Sequence, residues 1–172
     1  MIISVEELRS YNDLSNIPDA ELTTMCEGIE DFIRQYTNNN FVVRNTSFET
    51  PTVNGKLETV SPLIKVGDTV LITNSTYNDG VYTVIDTDGT LNKELLDDDE
   101  NNKVTLVKYP PAIKLGVVKL LQYNAKMDSK VGISSESLSR HSVSYAQPTS
   151  DSICGYPSSL MSFLKPFMKA RF

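Results

Sequence analysis

Val66-Gly-Asp-Thr-Val-Leu-Ile-Thr73, then Asn78-Asp-Gly-Val-Tyr-Thr-Val-Ile85 and Val104-Thr-Leu-Val-Lys-Tyr109, is the text that decides the fold. Val66-Gly-Asp68 supplies a turn ahead of a strand over 69–73, and runs of β-branched and aromatic residues predict further strands over 81–87 and 104–109. Asn78-Asp-Gly80 and Asp88-Gly89 bring turn residues that tolerate positive φ. Short strands spaced this closely predict a small barrel or a curled sheet. The acidic run Asp97-Asp-Asp-Glu100 reads as a solvated loop. Upstream, residues 41–65 are rich in Asn, Thr, Pro and Gly, and only Phe41-Val-Val43 suggests a short strand.

The flanks read differently. Ser4-Val-Glu-Glu7 fits a capping box, in which the Ser4 hydroxyl accepts from the Glu7 amide while the Glu7 side chain reaches back, and Ile3 and Leu8 are placed for the accompanying hydrophobic staple. A short helix over 5–11 follows. Pro18 suits the first turn of a second helix because its missing N–H would go unpaired there anyway. Leu22, Met25, Cys26, Ile29, Phe32, Ile33 and Tyr36 then recur at three- and four-residue steps, the strongest periodic signal in the chain, until Asn38-Asn-Asn40 stops it. Pro110-Pro111 ends the last strand and opens a third helix over 112–127, with Ile113, Val117, Leu120 and Leu121 on one face. Gly116 weakens that helix by about 1 kcal/mol relative to Ala unless a neighbour packs closely against it.

Two long amphipathic segments on either side of a strand block predict an inserted domain. The fold expected is therefore α+β: a small antiparallel helical core of three main helices plus a short C-terminal helix, over 1–45 and 110–172, carrying an inserted small β-barrel-like domain over 46–109. The Ser-rich stretch after Gly132 reads either as a disordered spacer or, because His141, Val143 and Tyr145 alternate with Ser142 and Ser144, as a half-buried strand. From about Ser158, Leu160, Phe163, Leu164, Phe167 and Met168 stand at helical spacing on an element that Pro166 must end or kink. A helix so short is marginal by itself and must dock on its own core or on another chain.

Charge is unevenly spread. Residues 1–50 hold nine acids against three bases, residues 51–109 ten against five, and residues 110–172 three against eight, within a net charge of -6. An acidic body opposes the counterion release that drives nucleic-acid binding. A basic last third can instead pair with an acidic region of a neighbouring copy or partner. No apolar run reaches the ~20 residues that a bilayer-spanning helix needs, and the opening residues lack a secretory signal pattern, so synthesis in the cytoplasm is expected.

Candidate chemistry is sparse. Cys26 falls on the apolar stripe of the second helix, where a buried inert thiol is the expectation. Cys154 and the single histidine, His141, are the only visible cysteine–histidine pair, and their flanks match no nucleophile signature. Asp86-Thr-Asp88-Gly89 looks like a fragment of a calcium loop. With Gly89 at the sixth position, however, the first and twelfth ligands would be Val84 and Leu95, which cannot coordinate. A hairpin turn explains it better. The pattern thus predicts no enzyme, no cofactor and no metal.

The order of parts resembles the head-to-tail connector, or head-completion adaptor, proteins of long-tailed bacteriophages. The resembling pieces are the Val5-Glu-Glu-Leu8 helix, the Ile17-Pro-Asp-Ala-Glu-Leu22 helix start, the Pro-led third helix, the tail Gly132-Ile-Ser-Ser-Glu-Ser-Leu-Ser-Arg-His-Ser-Val-Ser-Tyr145 and the closing Leu160-Met-Ser-Phe-Leu-Lys-Pro-Phe167. The inserted β-domain looks like an addition seen in some relatives. The resemblance implies a structural virion protein at the head–tail junction, made in the bacterial cytoplasm and forming a dodecameric ring. Such a ring lies between the portal protein and a downstream stopper or tail-completion protein, and DNA passes through it without specific binding. It also implies that the C-terminal segment reaches toward the portal, which makes Leu160, Phe163, Leu164, Phe167 and Met168, with Lys165, Lys169 and Arg171, the expected docking residues. A host- or capsid-binding role for the inserted β-domain is the alternative.

Overall fold

In a computed structural model, residues 1–127, 135–138, 141–144 and 152–170 are described. The chain is mixed α+β and divides into two compact units. One comprises Asn40–Tyr109 with Met1; the other comprises Ile2–Asn39 and Pro110–Phe172.

The helical unit opens with α1 (Val5–Arg9), whose Ser4 hydroxyl accepts from the Glu7 amide at 3.2 Å. The reciprocal half of the capping box is replaced by an ion pair, with the Glu7 carboxylate 4.0 Å from Lys114 Nζ. Ile3 and Leu8 are both buried, as a staple requires. α1 ends at Arg9, two residues before the expected stop, and a 3-10 turn (Asn12–Leu14) follows. Arg9 laces this connection: its guanidinium donates to Leu14 O (3.2 Å) and Ser15 O (2.6 Å) and pairs with Asp19.

α2 (Asp19–Thr37) starts after Pro18 and ends where Asn38 adopts a left-handed conformation, φ 49°. The Asn38 and Asn39 amides turn back to Gln35 O and Arg34 O, satisfying carbonyls that the helix end leaves open. Leu22, Cys26, Ile29 and Ile33 are buried along one face. α3 (Pro111–Met127) buries Ile113, Val117, Val118, Leu120 and Leu121, more than the sequence assigned to it. Of the three main helices expected, two are long, because α1 spans only five residues.

The β unit is a five-stranded antiparallel sheet in the order β2-β1-β5-β3-β4, formed by β1 (Phe48–Val53), β2 (Lys56–Leu57), β3 (Thr69–Thr73), β4 (Gly80–Thr83) and β5 (Asp98–Val107). Its curl is that of a half-barrel. The hairpin after β4 reaches toward the far edge: Val84 bridges Leu91, and the Leu57 amide on β2 donates to Gly89 O at 3.1 Å. Gly89 has φ 91°, and a side chain there would run into the Leu57 carbonyl. Val70, Ile72, Val84, Leu91, Leu95 and Val104 fill the concave side together with Leu57 and Ile64.

Three sequence expectations change here. β1 lies in the stretch read as irregular; its Pro51 sits where the β1–β5 register shifts between Thr50 and Thr52, a bulge that does not need the missing N–H. The acidic run is solvated at Asp97, Asp99 and Glu100 but is not a loop, for β5 begins at Asp98, a residue only 6% exposed. The insert also starts at residue 40 rather than 46, because the Val43 amide donates to Leu106 O (2.8 Å) and the Lys108 amide to Phe41 O (2.9 Å), which ties 41–43 to β5.

Four short strands follow α3 among the described residues. β6 (Ser135–Leu138) pairs with β7 (His141–Ser144), so the alternating stretch is one arm of a hairpin, while Tyr145 lies outside the described residues. β8 (Ser152–Ile153) and β9 (Tyr156–Pro157) form a second antiparallel pair, a hairpin.

Candidate docking site

The C-terminal segment is built on that second hairpin. Cys154 and Gly155 form its two-residue turn with φ 50° and 84°, the positive values that a tight hairpin requires. Tyr156 anchors it, its hydroxyl accepting from Asn124 Nδ2 at 2.8 Å and its ring 5.9 Å from that of Tyr123 on α3. Pro157 then starts α4 (Ser158–Met161), which tightens at once into a 3-10 helix (Ser162–Phe167) containing Pro166. Pro166 stands one residue before the end of this short helix, so the N–H it lacks removes at most one bond of the ladder.

The end of the segment is fastened to the end of α2 through backbone groups. The Lys169 amide donates to Thr37 O at 2.8 Å, Asn38 Nδ2 donates to Ala170 O at 2.9 Å, and Asn39 Nδ2 donates to Phe167 O at 3.1 Å. The polar Asn38-Asn39 pair that stops α2 therefore also receives the chain terminus. Asparagine suits both tasks because it tolerates the left-handed conformation that ends the helix, while its side-chain Nδ2 is a donor for the carbonyls of the arriving segment.

The expected docking residues separate into two sets. Leu164 has no exposed surface and Met161 almost none, so Leu164 belongs to the core of its own unit and is withdrawn from the docking surface. Its spacing places it on the apolar stripe, but a stripe on a short element has to be covered by something, and here the same chain covers it. Leu160, Phe163 and Phe167 are half-buried. Phe163 lies across Gly116 of α3, where a Cβ would collide with its ring. Lys165, Met168 and Lys169 are exposed, Met168 by half. Arg171 lies outside the described residues.

The other candidate groups have local roles. Cys26 is buried, and burial, with a smaller contribution from Glu30, pushes its thiol up to about 11, which keeps it protonated and unreactive at neutral pH. Cys154 is exposed at the hairpin turn; His141 falls on β7 and its side chain is outside the described part of the structure, so no cysteine–histidine pair is brought together among the described residues. Asp88 pairs with Lys56 and accepts from the Thr90 amide (3.1 Å) and hydroxyl (2.6 Å), the geometry of a turn rather than of a cation loop. No cluster of three or more His, Cys, Asp or Glu that could hold a metal occurs among the described residues, and no helix among them is long and apolar enough to cross a membrane.

A polar network in the β unit was not foreseen. Asn78, buried, donates from Nδ2 to Leu96 O (2.8 Å) and Thr52 Oγ1 (3.2 Å) and accepts from the Leu96 amide (2.9 Å). Beside it Asp98 accepts from Ser75 Oγ and the Thr76 amide, both at 2.9 Å, and from the Glu100 amide at 3.2 Å. Thr52, Ser75, Thr76, Asn78, Leu96, Asp98 and Glu100 thus form a pinned corner. No protein-family model matches the chain, and no curated protein matches it.

Proposed function

We propose that this chain is a structural protein of a tailed-bacteriophage virion, which forms a ring between portal and tail and acts by docking rather than by chemistry. In this reading the helical core carries the ring, the ring continues the DNA channel, and the C-terminal segment meets the portal. The inserted β-barrel-like domain is an accessory. The observation that carries the reading is the pairing of a rigid base with a basic, partly apolar tip. Asn38 and Asn39 hold the terminus in place by side-chain hydrogen bonds, while Lys165, Met168 and Lys169 face outward. A tip of this kind suits an acidic partner surface with a small apolar pocket, since charge steers the encounter and the apolar contact supplies most of the affinity.

The test is electron microscopy and co-sedimentation of the full chain with assembled portal rings, comparing wild type with Met168→Glu and with Lys165→Glu/Lys169→Glu. Loss of capture by folded variants supports the proposal, and undiminished capture by both overturns the assignment of this tip.

A second reading is favoured by one observation in the β unit. Leu63, Val66, Tyr77, Ile85 and Leu96 are all more than half exposed there, an unusual share of large apolar side chains for a small domain. A β unit that recognises a host or capsid component would use such side chains. Replacing Asn40–Tyr109 by a short glycine–serine linker separates the readings: a ring-forming, portal-binding remainder leaves the β unit as the accessory, whereas loss of capsid or host attachment alone assigns it the binding role.

A further inference from the structure

We propose that the exposed face of α2 centred on Gly28 is a docking surface for a second copy of this chain, and that it receives the exposed stripe of that copy's α3. The inference deepens the ring described above and rests on that reading.

The two helical glycines are the starting point. Glycine weakens a helix interior relative to alanine, so a helical glycine calls for a compensating contact. Gly116 has one within the chain, the ring of Phe163. Gly28 has none: it lies in the middle of α2, it is exposed, and a Cβ built on it would meet nothing within 4 Å. Its bare backbone leaves a notch on the helix surface, which lets another chain approach closely.

The surroundings of the notch are those of a contact rather than of a solvated face. Glu21, Met25 and Phe32 share its side of the helix at steps of four, three and four residues. Met25, Phe32 and Tyr36 are half-exposed, and the last two rings stack with centroids 5.5 Å apart, which forms one apolar wall. Thr24 and Asp31, both exposed, border the notch on the opposite side, and Glu21 stands at its end.

The complementary feature is on α3. Leu115, Lys119, Gln122 and Lys126 fall on one stripe by the same spacing, and Leu115 is 53% exposed although it is a large apolar side chain on a helix whose other face forms the core. Leu115 is a knob of the size the Gly28 notch admits, and Lys119, one turn on, carries the charge opposite to Glu21 and Asp31. The acids lie on α2 and Lys119 on α3, while Lys126 at the end of the stripe is already paired with Asp13 of its own chain at 3.1 Å, so the contact is complementary between copies through Lys119 and not self-complementary. Such a heterologous contact offers α2 to one neighbour and α3 to the next, and it closes into a ring when the rotation per copy permits.

Mass photometry and sedimentation over a concentration series test this with the full chain. Wild type is expected to self-associate. Gly28→Ala is expected to raise the melting temperature, because alanine favours the helix, and yet to weaken association. Glu21→Lys/Asp31→Lys should weaken association by about tenfold or more through like-charge contact with Lys119, and adding Lys119→Glu should restore it. Assembly that is indifferent to Gly28 and to both charge reversals overturns this interface, gives the α2 face to some other partner and leaves the ring reading standing. A wild-type chain that stays monomeric at every concentration overturns both.

Discussion

The ring of Phe163 occupies the space that a side chain at position 116 would fill, so the C-terminal segment and α3 are packed through a glycine. The pairing explains a residue that the helix alone would not select. Gly116→Ala removes a helix penalty of about 1 kcal/mol but forces the Phe163 ring to move, an overpacking cost of about 1–3 kcal/mol. Net destabilisation is expected in urea unfolding. The decisive measurement is the double variant: Gly116→Ala/Phe163→Leu should be more stable than the sum of its single changes, and strict additivity would show that the two side chains do not compete for one space.

Leu164 and Met168 lie four residues apart and should behave as opposites. Leu164→Ala empties a fully buried site and should cost about 2–5 kcal/mol. Met168→Ala, at a half-exposed position, should change stability by no more than about 0.5 kcal/mol. Thermal and chemical unfolding of the two variants would establish which part of the C-terminal stripe belongs to the fold.

Asn78 satisfies both backbone groups of Leu96 and the Thr52 hydroxyl inside the β unit. Asn78→Leu leaves the Leu96 amide without its partner, at about 1–3 kcal/mol for a buried group left unpaired, while the Leu96 carbonyl keeps the Thr52 hydroxyl at 2.7 Å. Hydrogen exchange should show the Leu96 amide losing protection in this variant. Retained protection would mean that water replaces the asparagine there.

Acid should weaken the β unit before the helices. The Lys56 ammonium and, after it, the Thr90 hydroxyl hold the Asp88 carboxyl down to about 2. Asp98 is also lowered, first by the Thr76 amide and then by Ser75 and Glu100, against the opposing effect of burial. A carboxylate whose folded pKa lies below its unfolded value of about 3.9 adds stability that is complete above that value and is lost as pH falls through the folded pKa. Melting temperatures taken from pH 5 down to pH 2 should therefore drop, and Asp98→Asn should flatten the drop. An unchanged slope in that variant would remove Asp98 from the transition.

Much of the secondary structure was legible because it depends on short-range chemistry. The boundaries of α2 follow from Pro18 and the Asn38 run, the β3 strand occupies the residues its β-branched pattern marks, and Pro110-Pro111 opens α3. β1 escaped because Glu49, Thr50 and Pro51 carry no alternation of apolar residues, although Asn54-Gly55, with φ 53° and 74°, was an available hairpin signal. The start of β5 escaped for a different reason. Four consecutive acids look solvated until two donors from distant residues, Ser75 and Thr76, invisible to any local pattern, join the nearby Glu100 amide around one of them.

The sequence alone determined that strands would interrupt helices, that the termini of α2 and α3 would fall where they do, and that a greasy stripe would close the chain, since periodicity, turn residues and prolines act over a few positions. Only the tertiary structure decided what covers that stripe. Leu164 is inside and Met168 outside because Gly116 and Asn39, 47 and 128 residues distant from their respective partners Phe163 and Phe167, provide the surface and the hydrogen bond that fix the segment's rotation. Contacts across such separations depend on how whole elements pack, which no local pattern encodes.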